Sequence, residues 1–332
     1  MAAKHRKYDL LDIIIQGFRD DGWNILYLED PKNHPFRLKI YRGDESHNIR
    51  IYVWNLTHGG GAMRPPDEYR IQITGVNQFE PEPNGKTLIL GWWREGEVFA
   101  GFDYNKHVGA LGFSPSIQIR EQALRKAHIK GVAPWEKDNQ EIAIAFRPDF
   151  IGEYVRNLQS LHSFGESEQD FEVLEEVTDN PDEVNDIEIA AVAVERQTAV
   201  VSVKKKIRDN SFKSRVLTSY TNRCAFCGVQ LKLIDAAHIV PVQHGGTDET
   251  SNGIALCALH HRAFDRNLVT FNAEYQILTN ENQFHKLAEI GLDGGAEKFV
   301  DDLRAVIHLP PTISDRPHIE YINYANEVRG WR

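Results

Sequence analysis

A chain of 332 residues exceeds the usual size of one domain, so two folded units joined by a linker are expected, and three cysteines in that length argue for a reducing compartment over a disulfide framework. Its opening, "MAAKHRKYDLLDIIIQGF", is basic and then amphipathic, with no cleavage site of small residues and no apolar run of about 18 residues anywhere, which points away from membranes and to the cytoplasm. The net charge of −10 would disfavour a nucleic-acid partner, but eleven acids and no Lys or Arg lie between Glu166 and Glu188, so one short stretch holds more than the whole excess.

In chain order, "YDLLDIIIQGFRDDGW" has apolar residues at helical spacing and stops at Gly22. "FRLKIYRG" and "NIRIYVWNL" alternate as strands should, and "EYRIQITGV", "KTLILGWW", "VFAGFDY" and "EIAIAFRP" read as further short strands. One helix is expected near "SIQIREQALRKAH". These elements imply a mixed α and β domain over residues 1–160 with a largely antiparallel sheet, and an α+β protein as a whole. Within it, Trp54, Trp92, Trp93, the glycines 59–61 and the bases Arg64, Arg70, Arg94, Arg120, Arg125 and Lys126 could stack a base or hold phosphates, although large aromatics in strands more often build a core.

Residues 161–203 have linker composition, acidic and weakly periodic, and serve either as a solvated spacer or as a mimic of DNA lying over the bases that follow. Those bases are Lys204, Lys205, Lys206, Arg208, Lys213 and Arg215, expected to form a DNA-facing surface or a solvated helix face at the start of a second domain, 204–332.

The chemistry concentrates in that second domain. Cys224 and Cys227 form a Cys-x-x-Cys knuckle in "RCAFCG", and Cys257 and His260 form Cys-x-x-His in "LCALH". Two such pairs suit a closed tetrahedral zinc site, because each two-residue gap lets a tight turn aim both side chains at one ion. Between them, "AAHIVP" places His238 in a short apolar strand, and Asn252 follows a Gly-Gly turn and a polar loop; His261 and Asp265 lie beyond Cys257.

This order resembles the HNH nucleases, closest to a bacterial branch written roughly "AAHI-P…NG-AL…HH-FD". The resemblance covers about residues 204–285 and extends to the tail "VIHLPPTISDRPHIEYINYANEVRG". It implies a ββα-metal unit in which a hairpin carries His238 and Asn252 and a helix carries His261. The adjacent histidines then serve two ions, His260 the structural zinc and His261 a catalytic Mg²⁺ or Mn²⁺, with Asp265 one turn later on the same face as a second ligand or a helix cap. His238 becomes the general base, and Asn252 either binds metal or fixes the loop. Many HNH enzymes carry Asp or His just before the base; here it is Ala237, which leaves Asp235, Asp265 or Asn252 to contribute. His244 is expected to be an exposed loop residue. The expected activity is metal-dependent hydrolysis of double-stranded DNA by a restriction or defence endonuclease, with the N-terminal domain selecting a sequence or modified base. Cutting both strands suggests a homodimer. A zinc-stabilised DNA-binding protein without turnover, or a nuclease gated by a small signal, are the alternatives.

Overall fold

The computed structural model describes residues 4–59, 65–137 and 139–331; the expectations placed on Gly60, Gly61 and Arg64 lie outside the described residues. The chain forms two units, Met1–Ile207 and Arg208–Arg332.

Unit 1 begins with helix α1 (Lys7–Asp20), followed by strands β1 (Asn24–Tyr27), β2 (Phe36–Arg42), β3 (Glu45–His58), β4 (Glu68–Gln72), β5 (Lys86–Trp93), β6 (Val98–Phe102) and β7 (Ser116–Arg120). Helix α2 (Glu121–Lys130), strands β8 (Val132–Glu136) and β9 (Ile142–Phe146) and helices α3 (Ile151–Arg156) and α4 (Leu158–Ser163) come next. The main sheet runs β1-β2-β3-β5-β6-β9-β8, and β4 and β7 extend it from β3. Every pairing is antiparallel except β3 with β5.

Strand periodicity builds a core on each face of this sheet. Ile49, Ile51 and Val53 of β3 join Leu88, Leu90, Ile142 and Ile144 in one cluster, with Leu10, Ile14 and Phe18 of α1 packed on it. The intervening residues Tyr52, Trp54 and Leu56 turn the other way and pack with Ile89, Trp93, Ala143 and Leu124 of α2. The three tryptophans are therefore core residues: Trp54, Trp92 and Trp93 are each at most 5% exposed.

Two expectations need correction. "SIQIR" is strand β7, not the start of a helix: Ile117 and Ile119 alternate into the core while Ser116, Gln118 and Arg120 do not, and α2 begins at Glu121. The acidic segment is not a tether. It folds as α5 (Glu168–Asp179) and α6 (Asp186–Ala191), and Phe171, Leu174, Val177, Val184 and Ile189 enter the core of unit 1. Buried Asp170 accepts a hydrogen bond from Arg196 at 2.8 Å, and Asp179 pairs with Lys126 at 2.8 Å. Helix α7 (Val194–Ser219) follows. Its residues Ala199, Val200, Val203 and Ile207 belong to the core of unit 1, and Phe212 and Val216, with Tyr220 just beyond the helix, to that of unit 2. The division falls at 207/208, and no linker over 161–203 separates the units.

Unit 2 continues with a hairpin of β10 (Ile234–His238) and β11 (Gly253–Cys257), helix α8 (Ala258–Asp265), a second hairpin of β12 (Val269–Phe271) and β13 (Ile277–Thr279), and helices α9 (Glu281–Glu289), α10 (Ala296–Asp301) and α11 (Ile319–Val328). Phe226, Ile254, Leu256, Phe264 and Phe271 form its centre, closed by Ile307 and Ile322 of the tail. The tail is also tied by Asn326, which bonds Thr270 and Phe271, and by Arg329, whose guanidinium lies 4.0 Å from the Phe264 ring centre. Among the described residues, no helix is long and apolar enough to cross a membrane.

Candidate active site and metal centre

The two knuckles converge. The ligand atoms of Cys224, Cys227, Cys257 and His260 all lie within 4.8 Å of one another, and they are the one such group of three or more His, Cys, Asp or Glu side chains among the described residues. The first knuckle turns tightly because the Gly228 N–H bonds the Cys224 carbonyl (2.8 Å), and it is fixed to β11 by the Ala225 N–H on the Ala255 carbonyl (2.7 Å). Cys257 ends β11 and is the N-cap of α8, so the second knuckle is one strand-to-helix turn. His260 Nδ1 stands 3.1 Å from the Cys257 sulfur and 3.5 Å from that of Cys224. A tetrahedral ion bound through sulfur and nitrogen needs ligand atoms roughly 3.5 to 3.8 Å apart, so the arrangement fits a zinc-type ion with little rearrangement.

The thiols carry the electrostatic sign of such a site. Burial opposes ionisation of Cys224, yet hydrogen bonds from His260 and neighbouring backbone amides outweigh it and bring the thiol down to about 6. Burial, together with the charge of Cys224, pushes Cys227 up to about 12 and raises Cys257. Three thiolates cannot share this space unless a cation joins them.

His238 ends β10 opposite Gly253, and its ring is held from two sides. Phe212 of α7 stacks on it with ring centres 3.8 Å apart and planes 5° from parallel. The Asp248 carboxylate meets His238 Nε2 at 3.0 Å, and Arg208 meets the other carboxylate oxygen at 3.0 Å. Gly253 makes the helix approach possible: a Cβ there would lie 2.2 Å from Val216 Cγ2.

Asn252 is wholly buried. Its Oδ1 accepts from the Val240 N–H (2.9 Å), and its Nδ2 donates to the carbonyls of Val240 (3.1 Å) and Thr247 (2.8 Å). This corrects its placement among metal ligands: its oxygen is occupied and enclosed, and it pins both ends of the loop from 240 to 247. That loop returns through Gly245, at a φ of 83°, and Gly246, where a Cβ would strike the Val240 carbonyl at 1.8 Å. His244 is exposed within it.

His261 and Asp265 share one face of α8, as their spacing requires, with Nε2 and a carboxylate oxygen 3.7 Å apart. The two pairs, His238–Asp248 and His261–Asp265, do not converge on one point as the cysteine knuckles do. Ala237 is packed in the core, and Asp235 pairs with Lys213 at 3.4 Å.

The basic stretch is largely engaged. Lys204 donates to the Val184 carbonyl (2.6 Å), Lys206 pairs with Asp21, and Arg208 and Arg215 bond the carboxylate and the carbonyl of Asp248. Lys205 stands exposed. Asp248 and Phe212 are the contacts of His238 that spacing did not indicate. The acid in "GGTDETSNG" was visible, but only the folded loop brings it to a histidine ten residues earlier.

Residues 224–272 match the family model of an HNH endonuclease, and residues 47–155 that of a methylase-associated X1 domain. No curated protein matches. Among solved structures, a modification-dependent TagI restriction endonuclease aligns with 84% of this chain and 80% of its own at 12% identity, with a TM-score of 0.30.

Proposed function

We propose that this nuclease, whose C-terminal unit carries an HNH endonuclease domain, hydrolyses double-stranded DNA in a restriction role, with His238 as the general base. The observation that carries the reading is the oriented imidazole of His238 on a hairpin secured by the Cys224, Cys227, Cys257 and His260 cluster. The cluster would hold a structural zinc that joins the hairpin to α8. His261 and Asp265 would hold Mg²⁺ or Mn²⁺, which when bound offsets charge on the phosphate and on the leaving oxygen. His238 takes a proton from the attacking water, and Phe212 keeps the ring in plane as it does so. Lys205, Arg208 and Arg215 supply positive charge near the strand backbone.

Unit 1 selects the target. The methylase-associated model that it matches supports a site defined by sequence or by base modification, and two copies of the chain would cut the two strands. Digestion of unmodified, methylated and hydroxymethylated DNA with Mg²⁺ or Mn²⁺ tests this, with sequencing of the ends. His238→Ala is expected to stay folded and bind DNA while cleaving on the order of 10² to 10⁴ times more slowly, the usual contribution of a general base. A folded variant that cleaves at the wild-type rate would remove His238 from the mechanism.

A further inference from the structure

We infer that Asp248 is a positioning residue that fixes the ring and the proton of His238, braced by Arg208 and Phe212 from α7. The inference rests on the reading of His238 as general base and concerns how that base is made ready.

An ionised carboxylate only accepts hydrogen bonds, so an imidazole nitrogen facing one must carry a hydrogen. At 3.0 Å from the Asp248 oxygen, His238 Nε2 is therefore the N–H nitrogen, and the lone pair is left on Nδ1. That assigns the atom that receives the water proton. When Nδ1 takes it, the imidazolium keeps Asp248 as a partner of opposite charge, which lowers the cost of the step.

The carboxylate is itself immobilised. Its second oxygen accepts from Arg208, while Arg215 bonds the Asp248 backbone carbonyl at 2.5 Å. Arg208, Phe212 and Arg215 lie four and three residues apart on α7, hence on one face of the helix. Phe212 sets the plane of the ring, Asp248 its rotation within that plane, and Arg208 the place of Asp248. From below, Asn252 holds the loop by Val240 and Thr247, the residue next to Asp248. Two residues that a basic patch would assign to phosphate thus have a second task in the site.

The test is a double-mutant cycle on the full chain, reading the single-turnover rate constant at saturating DNA. Asp248→Asn is expected to retain zinc content, melting temperature and DNA affinity while the rate constant falls roughly 10- to 100-fold, the usual effect of losing the partner that orients a working histidine. In the His238→Ala background the same substitution should cost nothing further, because the ring through which it acts is gone. An undiminished loss in that background would overturn the inference, showing that Asp248 acts on metal or DNA directly. So would wild-type cleavage by Asp248→Asn beside a slow His238→Ala, with the base reading left standing. Wild-type cleavage by His238→Ala would instead remove the base reading itself. Should Asp248→Asn melt early, Arg208→Gln, which leaves the carboxylate in place, must give a smaller loss that also vanishes without His238.

Discussion

The two units bury their centres by different means. Unit 1 covers both faces of a nine-stranded sheet, and residues such as Leu38, Ile51, Leu88 and Phe146 are fully excluded from water. Unit 2 gathers two short hairpins around a smaller core of Phe226, Ile254, Leu256, Phe264 and Phe271, with a cluster of three thiols and an imidazole set beside it. A large apolar area stabilises the first in proportion to what it buries, whereas in the second a cation held by the cluster would neutralise groups that burial alone sets against one another.

Removing that ion is the strongest way to break the comparison. A chelator, or Cys224→Ser, is expected to unfold unit 2 and leave unit 1 folded, giving loss of one calorimetric transition with the other unmoved. Elemental analysis of the native protein should return about one tightly held zinc per chain. Next comes a truncation inside the acidic helix: Phe171→Ala should destabilise unit 1 by roughly 3 to 5 kcal/mol, the usual cost of emptying an aromatic site in a core. Denaturant unfolding would read this, and an unchanged midpoint would restore the tether. Asn252→Ala should cost unit 2 about 1 to 3 kcal/mol, because buried backbone groups at Val240 and Thr247 lose their partner.

The smallest effect depends on pH. Lys7 is largely buried, over the Trp54 ring at 3.9 Å and bonded to the Val53 carbonyl, and burial brings it from 10.5 down to about 7. A base whose value falls on folding binds more protons in the unfolded chain between those limits, so unit 1 should gain stability as pH rises above 7. The slope is at most about 1.4 kcal/mol per pH unit for one proton, and Lys7→Met should flatten it in melts of unit 1.

The cysteine knuckles are legible because a metal site constrains residue spacing directly, whereas His238, Asn252 and the His261–Asp265 face are picked out by the resemblance to HNH nucleases. The acidic helix was hidden for the opposite reason. Phe171, Leu174 and Val177 recur at helical spacing, but charges outnumber them and mask the stripe. Strand β8 escaped notice because Pro134 reads as a breaker, and a proline is tolerated there since β8 is an edge strand. Asp248 escaped because its partner is set by the return path of a loop, which no local periodicity encodes.

That return path has a consequence for how the protein can vary. Asn252 grips the chain at Val240 and at Thr247, and the carboxylate that meets His238 is the very next residue. Gln243 and His244, at the exposed crest between the grips, are free to change identity. The return itself is less free: Gly245 sits at a positive φ and Gly246 leaves no room for a Cβ beside the Val240 carbonyl, so a side chain at either position is expected to disturb the path that brings Asp248 to the imidazole.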